Sequence, residues 1–186
     1  LDESSGNTVS GNSISDLTDG MGALMLWASS NNVISRNVLY GGNPMFLLGS
    51  SDNVISNNFV VDSEYGIVVG LSSNNEIYSN YFINVAQLAM DTEISEGKPS
   101  TNSWDNGSKG NYWSDYAGTD SNGDGIGDTP HVLYENNQDN FPLMNYPPIS
   151  TNPQTDSSLP TEVIFIFVVA VVAFVAAVAV LKLRKH

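Results

Sequence analysis

The densest chemistry in the chain lies between residues 120 and 128. Asp120, Asn122 and Asp124 alternate with Ser121 and Gly123, and Gly125, Ile126 and Asp128 follow. In a tight acidic loop, alternate residues turn their oxygens toward one centre. Asp120, Asn122 and Asp124 take the first, third and fifth positions of a calcium loop, and Gly125 takes the sharp turn. The Ile126 carbonyl and the Asp128 side chain complete the set. His131 stands where an EF-hand places its bidentate glutamate, so a helix-loop-helix site is not expected. The expectation is an isolated loop holding a structural Ca²⁺ ion through Asp120, Asn122, Asp124, Ile126 and Asp128. The alternative is an Asp/Gly-rich turn without metal.

Other reactive groupings are thinner. Two carboxylates are the least that glycoside hydrolysis needs. Asp16 with Asp19, Asp62 with Glu64, and Asp91 with Glu93 are close pairs, but none sits in a distinctive motif. They read as solvated bends, and no catalytic residue is assigned. Cysteine is absent, which excludes disulfides and thiolate metal sites. A soft-metal site would need clustered Met or His, but the five methionines are scattered and the only histidines are His131 and His186.

Charge is unevenly distributed. All 20 acidic residues lie at or before Glu162, against only Arg36, Lys98 and Lys109 in the same stretch. Such a surface repels polyanions, so no nucleic-acid partner is expected. From Val163 to Leu181 the chain is apolar for 19 consecutive residues, and Lys182, Arg184 and Lys185 follow. As a helix this run would span about 28 Å, close to the thickness of a bilayer's hydrocarbon core. The basic tail would stay cytoplasmic, leaving everything before Glu162 outside. Residues 146–162, rich in Pro, Ser and Thr, read as an extended stalk.

The elements that position these groups are announced by a repeat. Asn7-TVSG-Asn12, Asn32-VISR-Asn37, Asn53-VISN-Asn58 and Asn75-EIYS-Asn80 share one pattern. An apolar residue follows the first Asn by two (Val9, Ile34, Ile55, Ile77) and the second Asn by two (Ile14, Leu39, Val60, Phe82). Leu24 and Leu26, Met45 and Leu47, and Ile67 and Val69 precede three of these units with the period-two spacing of strands. One such coil cannot bury its apolar residues, but stacked coils put equivalent positions above one another and build a continuous core. The asparagines would fall at the bends, where Asn tolerates left-handed backbone and can hydrogen-bond along a file of its own kind.

The N-x-I-x-x-N-x-F unit, running from about Asn7 to Ala86, resembles the parallel β-helix repeat of the NosD-like and carbohydrate-binding-and-hydrolase families. The later succession WDNG, GNYWSDY, GDGIGDTP and FPLM resembles the C-terminal module of NosD-like surface proteins. The resemblance implies an all-β, right-handed parallel β-helix of four to five coils over residues 1–100. A cap over 101–145 would plug its end with Trp104, Tyr112, Trp113, Tyr116 and Phe141 and would carry the calcium loop. The stalk, one transmembrane helix at 163–181 and a cytoplasmic tail at 182–186 would follow. The function expected is a non-catalytic, membrane-anchored surface protein that binds polysaccharide or cell-envelope proteins. Two alternatives stand beside it: the C-terminal part of a carbohydrate-active enzyme, and an accessory protein in copper-centre assembly, the role of NosD's founding members.

Overall fold

In a computed structural model, residues 1–15, 22–93, 97–134 and 137–149 are described. The apolar run at 163–181, most of the stalk, the basic tail, and Asp16, Asp19 and Met21 lie outside the described residues. Among the described residues no helix is long and apolar enough to cross a membrane.

The chain winds through levels of three short strands. The first holds β1 (Thr8–Ser10), β2 (Ser13–Ile14) and β3 (Gly22–Trp27), and the second β4 (Val33–Ser35), β5 (Val38–Tyr40) and β6 (Asn43–Leu48). The third holds β7 (Val54–Ser56), β8 (Phe59–Val61) and β9 (Tyr65–Gly70), and the fourth β10 (Glu76–Tyr78), β11 (Tyr81–Ile83) and β12 (Gln87–Asp91). Beyond them come β13 (Tyr112–Trp113) and an antiparallel hairpin of β14 (His131–Tyr134) and β15 (Asn137–Asp139). Equivalent strands pair in parallel to give three sheets in the orders β1-β4-β7-β10, β13-β11-β8-β5-β2 and β12-β9-β6-β3. The architecture is an all-β parallel solenoid.

Register follows the repeat. Val9, Ile34, Ile55 and Ile77 form one vertical file, and Ile14, Leu39, Val60, Phe82 and Trp113 another. The third sheet sets Leu24, Met45 and Ile67 in line, with Leu26, Leu47 and Val69 beside them. Ile34, Ile55, Ile77, Leu47, Met45 and Phe82 are all buried in one core cluster. Each side chain meets its like from the level above and below, so the core is continuous although no single level closes around it.

The repeating asparagines differ from expectation in one respect. Asn32, Asn37, Asn53, Asn58, Asn75 and Asn80 are buried. The left-handed backbone falls on the residue just before each: Asn31, Arg36, Asp52, Asn57, Asn74 and Ser79, all at positive φ. The bend needs one left-handed residue, which can be of several types because its side chain points to water at five of the six bends, Ser79 being the buried exception. The position after it turns inward, and there the amide is indispensable.

Those amides build directional ladders. The Asn7 main-chain N–H and Nδ2 both donate to Asn32 Oδ1, at 2.9 and 3.1 Å. The same pair of bonds runs from Asn32 to Asn53, Asn53 to Asn75, and Asn75 to Asn102. A second ladder climbs Asn12, Asn37, Asn58, Asn80 and Asn111. A third uses hydroxyls, with the N–H of Ser4, Ser29, Ser50 and Ser72 donating in turn to Oγ of Ser29, Ser50, Ser72 and Ser100. In each file, donors face the C-terminal end. The last rung must therefore accept hydrogen bonds and has nothing further to donate to.

Candidate functional site

Acceptors end all three ladders. Asn102 N–H donates to Asn137 Oδ1, which also takes the indole N–H of Trp104 at 2.9 Å. Asn111 N–H donates to Asp139 Oδ2 at 2.6 Å, and Trp113 Nε1 joins it at 2.8 Å. Ser100 N–H donates to Asp91 Oδ2. Two residues of β15 thus stand where the two asparagines of another coil would stand. Asp139 is fully buried, and burial pushes its carboxyl up to about 6, opposed by N–H groups from Asn111, Trp113 and Phe141. Trp104 and Trp113 are buried beneath it, and Phe82 stacks on Trp113 at 4.7 Å. Tyr112 and Tyr116 stay partly exposed. The aromatic plug is therefore chiefly two tryptophans whose indole N–H groups are used by the ladder ends.

Within the acidic loop, Asp120, Asn122 and Asp124 are tied to one another by hydrogen bonds. Asp120 accepts main-chain N–H groups from Gly123, Asp124 and Gly125, and Asn122 Nδ2 donates to Asp124 Oδ2 at 3.0 Å. Ile126 donates its N–H to Asp124 and bridges Leu143. Asp128 turns instead to Thr119 and Ser121, whose hydrogen bonds hold its carboxyl below the usual range. Among the described residues, no three His, Asp or Glu side chains stand together as a metal cluster. The remaining carboxylate pairs are also placed: Asp62 is exposed and bound to Asn84, Glu64 is exposed, and Asp91 is a ladder end that also accepts the N–H of Glu93.

Two surface features complete the picture. On the outer side of one sheet, Phe59 and Tyr81 stack at 4.6 Å, and Tyr112, next in register, meets Tyr146 edge-on at 4.8 Å. At the end of another sheet a cleft of about 310 Å³ is lined by Val85–Ala89, Asp115 and His131–Leu133. His131 Nε2 lies 3.3 Å from Asp115 Oδ1, and its ring contacts Trp113 and Tyr116. Burial lowers the His131 pKa, with Asp115 opposing.

Stacked parallel strands and buried polar ladders, whose last hydrogen bonds are accepted by Asn137, Asp139 and Asp91, define a β-solenoid. Residues 1–118 match the family described as "Periplasmic copper-binding protein (NosD)". The chain belongs to the NosD family, whose description places it outside the cytoplasm. The "Probable ABC transporter binding protein NosD" of Stutzerimonas stutzeri is 32% identical over 132 residues, which is 70% of this chain and 26% of that protein. The chain therefore spans about a quarter of that relative's length. No solved structure matches the chain.

The described residues do not fit copper. Met45 is locked in the core. Met25 and Met90 share an outward file but lie at its two ends, with Phe46 and Val68 between, about 14 Å apart at the spacing of paired strands. His131 has Asp115 for a partner. A soft-metal site needs such donors to converge.

Proposed function

We propose that this chain is an extracytoplasmic scaffold, an accessory protein of the NosD type that presents its solenoid faces to other proteins of the cell envelope and is itself non-catalytic. The observation that carries this reading is the way the solenoid consumes its own polar groups. Ladder amides and hydroxyls are bonded from level to level, leaving a stiff rod whose outer surface is free for contacts. A protein partner is favoured over a polysaccharide because Phe59 and Tyr81 each give one ring face to the other and stand between Val38 and Tyr112 in the same file, and sugar stacking needs a free face.

Two further parts complete the proposal. The apolar run at 163–181 spans the membrane, with the tail at 182–186 inside. The loop of Asp120, Asn122, Asp124, Ile126 and Asp128 takes a structural Ca²⁺ ion with the weak affinity of extracellular modules, on the order of 0.1–1 mM.

The test of the accessory role is deletion of the gene in its host, followed by measurement of copper loading in extracytoplasmic copper enzymes. Loading should fall while enzyme abundance holds, and return when the chain is supplied again. Unchanged loading would overturn the accessory reading.

A further inference from the structure

The three faces of the solenoid do not end alike. The β11 face is continued by β13, and the β10 face by a bridge between Glu76 and Ser103. The β12 face stops, because β12 is the last strand of its sheet. One edge of Gln87–Asp91 thus has no strand partner among the described residues. The chain leaves this face uncontinued because it turns aside after Trp113 into the acidic loop and returns as the hairpin, not as a further strand.

The cleft lies at this edge. One wall is Val85–Ala89 and the other is His131–Leu133 of β14. Leu88 is buried in the core cluster, and Ala89 and Leu133 pack partly against it. Val132 is 62% exposed beside them, a large apolar side chain left in water. Asp115 lines the cleft with its side chain 62% exposed.

We infer that an extended segment of a partner protein, carrying a lysine or arginine, docks along β12 as the missing strand and sets its cation against Asp115. This deepens the proposed scaffold role by naming the form of the partner. The length fits: five residues of β12 offer about 16 Å of edge at 3.3 Å per residue. Strand addition draws affinity from main-chain hydrogen bonds and specificity from alternate side chains, which here would meet Leu88, Ala89 and Leu133. The charge fits as well, because the chain offers three basic against 20 acidic residues before the apolar run.

The test uses the full chain, isotope-labelled in detergent micelles, and an acetylated, amidated hexapeptide that alternates valine with threonine and bears one lysine. Saturable chemical-shift changes are expected at the Gln87–Asp91 amides and at Val132. Methylating alternate peptide nitrogens should weaken binding about tenfold or more. Asp115→Asn should weaken the lysine peptide severalfold and leave a glutamate version unaffected or improved. The inference is overturned if millimolar peptide leaves Gln87–Asp91 unmoved. Equal binding of the methylated peptide would also overturn it, marking a simple apolar pocket. So would shifts at this edge that grow with protein concentration alone, marking a second copy as the occupant. Because these signals are read on purified protein, they are independent of copper loading in the host.

Discussion

Replacing Asn58 by alanine removes the middle of the second ladder. Asn58 Oδ1 accepts the main-chain N–H and the Nδ2 of Asn37, at 3.0 and 2.9 Å. Its own Nδ2 donates to the carbonyls of Ile34 and Ser56 and to Asn80 Oδ1, at 3.0, 3.2 and 2.9 Å. The site is fully buried, so water cannot replace these partners without opening the stack. Asn37 N–H loses its acceptor outright, and Asn37 Nδ2 and Asn80 Oδ1 each lose one bond. At about 1–3 kcal/mol for a buried group left unsatisfied, the loss comes to about 3–5 kcal/mol. That is a large share of a typical domain's total stability. Asn58→Asp should cost at least as much near neutral pH, because it sets an oxygen against three acceptors. Its cost should ease in acid, where a protonated carboxyl regains one donor. The assay is urea unfolding of each full-length variant, comparing midpoints and slopes. A loss below about 1 kcal/mol for alanine, or an aspartate variant milder than alanine at pH 7, would refute the directional ladder.

Other outcomes follow from the same structure. Asp139 binds its proton more tightly folded than unfolded, since burial lifts its carboxyl from 3.8 to about 6. Its contribution to stability is thus greatest below about pH 4 and falls as pH rises to about 6, by about 3 kcal/mol. Unfolding measured from pH 4 to 7 should show this slope, and Asp139→Asn should flatten it. The Tyr134 hydroxyl is buried and makes no well-formed hydrogen bond among the described residues, Asn102 being the polar side chain near it. Tyr134→Phe should therefore raise stability by up to about 1 kcal/mol in the same assay, while a loss would show the Asn102 contact to be a true hydrogen bond. Calcium titration by calorimetry should show one weak site, with Asp120→Asn lowering its affinity at least tenfold. Equal heats from both proteins would reject the loop as the site.

The solenoid was legible because its strongest physical requirement repeats. Ile34, Ile55 and Ile77 had to recur in step to share a core, and they stand in register as read. Met45 was likewise legible as a core residue from its place before Leu47. The ends of the ladders were not legible. Asn137 and Asp139 are two apart, whereas ladder asparagines within one level are five apart, as with Asn53 and Asn58. An antiparallel hairpin brings both into place, and no spacing rule of the repeat anticipates that. Asp91 read as half of a surface carboxylate pair, yet it ends the serine ladder, because its partner Ser100 arrives from nine residues later. The location of the left-handed bends was displaced by one residue for a related reason: Asn is favoured both at bends and in ladders, and composition alone does not separate the two uses. The open edge of β12 depends on where the chain leaves the coil, which only the three-dimensional path reveals.

Backbone amide hydrogen exchange at Asn37, Asn58 and Asn80 tests the central claim most directly, because each of these N–H groups donates to the side chain of an asparagine one level on. The ladders predict exchange as slow as that of the Ile55 and Ile77 amides in the core strands, through opening of the whole stack. Exchange within seconds at these three positions, beside protected strands, would contradict the account.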